Sequence, residues 1–209
     1  MPKSSASRSR KTKDPCEGCG LHRARCICAL TPRLDLKTRL TLIVHAKELK
    51  RTTNSGRLAA RALVNSDMVV RGLGQVLVPL KAGYRPLLLF PSDNARELTA
   101  ELVAESALPV QLLVPDGNWR QASKVALRQP ELAGAERVMI SRINEADQHL
   151  RRENHPAGMS TLEAVVFAMR VLEGEEAFQQ LREFYFAKLK ATIAGRSTGS
   201  LVGVVSPRN

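Results

Sequence analysis

What most constrains this chain is the regular alternation of short apolar runs with helix-patterned stretches. Residues 40–45 (LTLIVH), 86–90 (PLLLF), 110–114 (VQLLV) and 137–140 (RVMI) have the length and apolar content of strands. Between and after them, residues 57–64, 94–105, 118–127, 161–172 and 175–191 carry helical periodicity. Strands that alternate with helices are joined by crossovers. The alternation therefore predicts an α/β fold, a mostly parallel sheet with helices on both faces. Sheets of this kind take ligands just beyond the carboxyl ends of their strands, so residues that closely follow each strand are the first candidates for a site.

Three segments satisfy that rule. Pro91-Ser92-Asp93-Asn94 follows the second run, and Pro115-Asp116-Gly117-Asn118-Trp119-Arg120-Gln121-Ala122 follows the third. Beyond the fourth, the chain passes Leu150-Arg151-Arg152 and reaches Pro156-Ala157-Gly158-Met159-Ser160-Thr161-Leu162-Glu163-Ala164. In the middle segment either Asp116 or Asn118 can cap the helix that follows. The chain's one Trp, Trp119, stands in the first turn of that helix between Asp116 and Arg120, an unusual place for a large ring unless it packs on a neighbour or a ligand. In the last segment Ser160 with Glu163 forms a capping-box pattern, which by itself requires no function. No G-x-G-x-x-G, Walker A, H-E-x-x-H or G-x-S-x-G motif occurs in a usable context, which removes the common dinucleotide, nucleoside-triphosphate, metalloprotease and hydrolase readings.

All four cysteines lie within thirteen residues, as Cys16-x2-Cys19-x6-Cys26-x-Cys28. Such clustering suits a closed tetrahedral Zn²⁺ site, structural rather than catalytic, with Gly18 and Gly20 permitting the tight turn. Neighbouring His22, Arg23 and Arg25 are expected to favour the thiolate forms. Free thiols or a redox pair are the competing explanation.

Charge is distributed unevenly. The chain carries 32 Lys/Arg and 20 Asp/Glu, a net of +12, and eleven of those twelve excess charges fall within residues 1–61. A basic first third on a near-neutral body favours a polyanion, most simply nucleic acid, held at that end; a solvated basic tail without a partner is the alternative. No apolar core of a signal peptide follows the basic start, and no run approaches the ~18 apolar residues of a membrane span. A cytoplasmic protein, with no membrane partner, is the expectation. The division expected is a basic disordered tail (1–14), a zinc knuckle (15–31), a catalytic domain (32–194) and a flexible tail (195–209).

Taken in order, these segments resemble the DTW-domain family, from Cys16 to about Ala191. The cysteine cluster is similar to that family's N-terminal zinc element. His45-x2-Glu48-x2-Arg51-x2-Asn54-Ser55-Gly56-Arg57-Leu58 is similar to its H-P-x-E…N-T-G-x-L stretch, and Leu89-Phe90-Pro91, Leu150-Arg151-Arg152 and Ser160-Thr161-Leu162-Glu163-Ala164 also fit. The eponymous D-x-T-W departs here, reading Asp116-Gly117-Asn118-Trp119. Asn keeps a hydrogen-bonding, helix-capping side chain in place of Thr but loses the hydroxyl.

The resemblance implies a tRNA-uridine aminocarboxypropyltransferase on a knotted, SPOUT-like sheet. The implied reaction moves the 3-amino-3-carboxypropyl group of S-adenosylmethionine to N3 of a tRNA uridine, in the variable loop by analogy with bacterial relatives. Asp116 and Trp119 are the catalytic candidates, Asp116 as base or as anchor. Phe90, Pro91, Asp116, Gly117, Asn118, Trp119, Ser160, Thr161 and Glu163 are the implied donor-binding set. His45, Arg51, Asn54, Arg57, Arg151 and Arg152 are the implied tRNA-binding set. A SPOUT-like methyltransferase and a non-enzymatic zinc-containing RNA-binding protein are the alternatives.

Overall fold

The computed structural model describes residues 12–49, 51, 54–74, 76–141 and 159–198. In chain order its elements are β1 (Arg39–His45), α1 (Ala46–Leu49), α2 (Gly56–Ala62), β2 (Ser66–Arg71), β3 (Arg85–Leu89), β4 (Arg96–Glu97), α3 (Ala100–Ala104), β5 (Val110–Asp116), α4 (Trp119–Ala122), α5 (Val125–Arg128), β6 (Glu136–Met139), α6 (Thr161–Glu173) and α7 (Glu175–Thr198). The strands form one six-stranded sheet ordered β2-β1-β5-β3-β6-β4. Every pairing is parallel, as the alternation of strands and helices requires.

Successive side chains of a strand point to opposite faces, and the two faces bury different partners. Leu40, Leu42 and Val44 of β1, with Leu112 and Val114 of β5, pack with Leu58 of α2, Leu162 and Val166 of α6, and Leu181 and Phe184 of α7. Ile43, Leu88 and Leu113 face the other way, onto Val69, Val78, Val125 and Leu132. Helices therefore cover both faces, with the larger core under α2, α6 and α7. Because β5 is buried along its whole length between β1 and β3, its sequence reads as a continuous apolar run.

Between β2 and β3 the chain crosses the second face without a helix, and polar side chains hold it there. Buried Gln111 donates to Thr41 Oγ1 and to the Pro79 carbonyl, both at 2.9 Å, and accepts the Lys81 N–H at 2.9 Å. Gln129 donates to the Val76 carbonyl at 2.9 Å, and Glu131 accepts the Val78 N–H at 2.6 Å. Four of these five contacts pair a backbone group of the crossing segment, and the fifth ties Gln111 to Thr41 of β1.

The structure departs from the sequence reading in four places. Strand β2 was not anticipated, because only Met68, Val69 and Val70 are apolar in it. The helix expected over 94–105 is instead the short edge strand β4 followed by α3, which starts where Thr99 Oγ1 accepts the Leu102 N–H. Arg96 is held in β4 by ion pairs to Glu105 and Glu136 at 2.5 and 2.7 Å. The helix expected over 118–127 breaks into α4 and α5 at Ser123 and Lys124. Helix α7 continues past Ala191 to Thr198.

Gly174 separates α6 from α7 with φ of +92°, and a Cβ there would meet open space. Gly174→Ala therefore tests backbone strain alone. It is expected to cost about 1–3 kcal/mol, read as a lowered urea midpoint with an unchanged m value.

Candidate functional site

At the carboxyl end of β5, Asp116 is 3% exposed, and both carboxylate oxygens accept hydrogen bonds. Asn54 Nδ2 donates to Oδ2 and Thr161 Oγ1 donates to Oδ1, each at 2.5 Å. Asn54 precedes α2 and accepts the Arg57 N–H with Oδ1 at 3.1 Å, so both ends of its amide are engaged. Gly56 closes over the carboxylate; a Cβ at that position would stand 2.8 Å from Asp116 Cγ. Ser55 Oγ accepts the Leu162 N–H at 3.4 Å, a second tie between the starts of α2 and α6. One buried carboxylate thus joins the segment after β1, the end of β5 and the first turn of α6.

Ser160 and Glu163 do form the capping box, each side chain bonding the other's backbone N–H at 3.3 Å. Both are buried, so they fix the entry of α6 that aims Thr161 at Asp116. Asn118, and not Asp116, caps α4, in a reciprocal capping box with Gln121 at 2.9 Å. At Gly117 a Cβ would come within 3.0 Å of the Gln121 side chain, which explains a glycine there without any positive φ.

Trp119 lies on the opposite side of the rim from Asp116. Pro115 and Asp116 are adjacent in β5 and face opposite ways; Pro115 shares a cavity of about 290 Å³ with Leu88, Phe90, Pro91, Trp119 and Arg137. The Phe90 and Trp119 rings stand 5.0 Å apart, tilted by 49°, and Trp119 remains 43% exposed. An aromatic wall with a guanidinium beside it is suited to a planar, hydrogen-bonding ring.

Of the residues assigned to RNA, Asn54 is buried and supports Asp116 instead of presenting a surface. Arg51 pairs at 3.2 Å with Glu48, whose side chain is fully buried. Arg57 lines a shallow cavity with Gly18, Arg61 and Asp67, between α2, β2 and the cysteine segment. His45 lines a separate cavity with Arg71 and Arg128. Arg151 and Arg152 lie outside the described residues. Arg71 and Arg128 were not anticipated, since the strand that carries Arg71 was not recognised.

The four cysteine sulfurs lie within 4.8 Å of one another. Cys16 to Cys26 is 3.4 Å, Cys16 to Cys28 is 3.7 Å and Cys19 to Cys26 is 3.9 Å. A tetrahedron with Zn–S bonds of about 2.3 Å has edges of about 3.8 Å, so the donor set fits zinc in both chemistry and spacing. A Cβ on Gly18 would stand 2.5 Å from Cys28 Sγ, so glycine is required for the cluster to close. The amide of Cys19, the Cys26 thiol and the Gly18 amide lower the Cys16 pKa to about 6, whereas burial pushes Cys28 up to about 12. The lowering comes chiefly from backbone amides rather than the expected cationic neighbours: Arg23 turns to Asp14 at 3.3 Å, and His22 Nδ1 accepts the Ala24 N–H. Cys19, Leu21 and Ile27 belong to the main core, and buried Lys188 of α7 donates to the Cys19 carbonyl at 2.6 Å. Burial moves the Lys188 pKa down to about 8.

Comparison with known proteins adds family information. The DTW domain matches residues 13–193. The chain is similar to the tRNA-uridine aminocarboxypropyltransferase 2 of Drosophila melanogaster, 25% identical over 178 residues, covering 80% of this chain and 70% of that one. It is also similar to the proteins of the same name from Macaca fascicularis and Mus musculus, each 22% identical, covering 81% and 79% of this chain. The chain spans 60% and 58% of the length of those two relatives. No solved structure matches.

Zinc analysis of the purified chain is expected to give one ion per molecule, lost in Cys26→Ser. Because the knuckle is part of the main core, chelation should lower Tm by several degrees; an unchanged Tm would separate the metal from the fold.

Proposed function

The chain belongs to the DTW domain family, and from that premise we propose that it is a tRNA-uridine aminocarboxypropyltransferase. In the proposed reaction N3 of a tRNA uridine, in the variable loop, gives up its proton to solvent water and attacks the methionine γ-carbon of S-adenosylmethionine. The N3–C bond forms as the C–S bond breaks, and the electron pair returns to sulfur, leaving neutral 5′-methylthioadenosine. The observation that carries this reading is the Asp116 clamp. The Asp, Asn and Thr of three separated motifs meet at one carboxylate on the ligand-binding rim of a parallel sheet.

The sulfonium activates all three of its carbons, so selecting the γ-carbon over the methyl is a matter of position. Asp116 suits positioning: with Asn54 and Thr161 donating to it, it holds the segments around the reacting groups at fixed distances. The cavity beside Phe90, Pro91 and Trp119 suits a planar ring of donor or target, with Gly117 and Asn118 setting the turn between it and the clamp. Ser160, Thr161 and Glu163 hold the third wall. Cys16, Cys19, Cys26 and Cys28 would hold zinc, which would supply structure at the basic end and no chemistry at the rim. Arg57, close to that knuckle, is the proposed phosphate-binding residue there, with the N-terminal basic residues and with Arg51, Arg151 and Arg152.

The SPOUT kinship, a knotted chain path included, belongs to the same reading. So do a knuckle over 15–31, a catalytic domain over 32–194 and a cytoplasmic site of action. Among the described residues no helix is long and apolar enough to cross a membrane.

Nucleosides from tRNA incubated with the protein and S-adenosylmethionine are expected to gain the mass of an aminocarboxypropyl group. A gain of one methyl would instead favour a methyltransferase, and no gain a binding protein. Asp116→Asn should lower kcat by about 10²-fold, because an amide cannot accept from both donors, with tRNA affinity kept. Activity close to wild type would remove Asp116 from the mechanism.

A further inference from the structure

At the carboxyl ends of β1 and β2, on the edge of the sheet remote from β4, lies a second cavity of about 370 Å³. His45, Arg71, Gly72, Gly74 and Arg128 line it. Arg71 ends β2 and is only 7% exposed. Among the described residues its Nη2 donates to the Gln121 carbonyl at 3.2 Å, which uses one of the five N–H groups a guanidinium carries. Among the described residues no carboxylate forms an ion pair with Arg71 or with Arg128. Glu131 also lines the cavity; its Oε1 accepts the Val78 N–H and its Oε2 is buried without a hydrogen-bond partner among the described residues, so the two guanidinium groups still outnumber the one carboxylate.

His45 adds a neutral donor. Its Nδ1 accepts the Lys47 N–H at 3.2 Å, which places the ring proton of the uncharged imidazole on Nε2. Nε2 lies against Gly72, where a Cβ would stand 3.4 Å from it and where φ is +91°. Gly72 therefore keeps the turn after β2 low and leaves that N–H accessible. Burial, then Arg71 and Lys47, push the His45 pKa down; burial and Arg128 push that of Arg71 down. Two guanidinium groups held near each other with one partly desolvated are relieved by an anion between them.

We propose that this cavity is a phosphate subsite that holds the backbone of the RNA substrate through Arg71, Arg128 and the His45 Nε2–H. The proposal rests on the tRNA reading above and adds to it a contact on the β2 edge, separate from the cysteine knuckle and from the Asp116 clamp. A carboxylate of the sulfonium donor presents similar oxyanion chemistry, and the experiment distinguishes the two sources.

Arg128 is exposed, so Arg128→Gln leaves the fold intact; Arg71→Gln is checked by its far-UV spectrum and melting curve. For full-length protein, tRNA affinity is measured by anisotropy across salt concentrations, and S-adenosylmethionine affinity by calorimetry. Arg128→Gln is expected to weaken tRNA roughly tenfold at low salt and to reduce the slope of log K against log salt by about 1, with the donor's Kd unchanged. Arg71→Gln, where folded, should do the same. Unchanged affinity and slope in Arg128→Gln would overturn the subsite while leaving the proposed function intact. Loss of donor affinity with an unchanged tRNA slope would overturn it in favour of the donor's carboxylate. Wild-type protein that fails to bind tRNA would remove the proposed function and the subsite together.

Discussion

The rim of the sheet depends on one buried carboxylate. Asp116 sits at the end of a strand that is covered on both faces, and an ionised group in that place is stable only if its oxygens are satisfied. The side chains that satisfy them, Asn54 and Thr161, come from segments more than forty residues away on either side. Satisfying the charge and assembling the site are consequently the same event. The neighbouring features follow from it: Gly56 must lack a Cβ to let the carboxylate approach, and the Ser160–Glu163 capping box fixes the turn that aims Thr161.

The period of the strand then divides the rim in two. Pro115 and Asp116 face opposite sides, so the polar clamp lies under α2 and α6 while the Phe90–Trp119 pair lies on the side of α4. An aspartate and a tryptophan three residues apart in sequence thus face opposite sides of the sheet, the first buried in hydrogen bonds and the second lining a cavity. A substrate that reaches both must lie across the end of β5. The reaction proposed here brings two molecules together, and such a divided rim gives each its own wall.

Much of this was legible in the sequence. The runs of β1, β3, β5 and β6 are read correctly because interior parallel strands each carry a short, mainly apolar stretch, and the long helices α6 and α7 because their buried stripes are periodic. Edge strands were not legible. β2 alternates partly exposed residues, and β4 is two charged residues whose place is set by Glu105 and Glu136 rather than by any local pattern. At the site, the Ser160–Glu163 capping box can be read from spacing alone, whereas the choice of Asn118 over Asp116 as the cap of α4, and its box with Gln121, comes from the structure. The partners of Asp116 cannot be read from spacing, since only the fold brings them within reach. The family resemblance places Asn54 in the RNA-binding set; in the structure it is buried and donates to Asp116, a contact that sequence spacing does not reveal.

The same limit applies to charge. Residues 62–209 sum to a net of only +1, which suggests a body indifferent to polyanions. A regional sum cannot register segregation. On the β4 side, Arg85 and Arg96 share Glu105 and Glu136 in a network that neutralises itself. On the β2 side, Arg71 and Arg128 line one cavity with no such pairing among the described residues. Fields at a surface depend on the local arrangement over about 10 Å, the Debye length at 0.1 M salt, and two such edges of one sheet are distinct over that range. A body that is neutral in total can therefore carry a cationic margin, and the cavity of Arg71 and Arg128 lies at the far end of β2 from the cysteine segment, whose cavity is lined by Ser66 and Asp67.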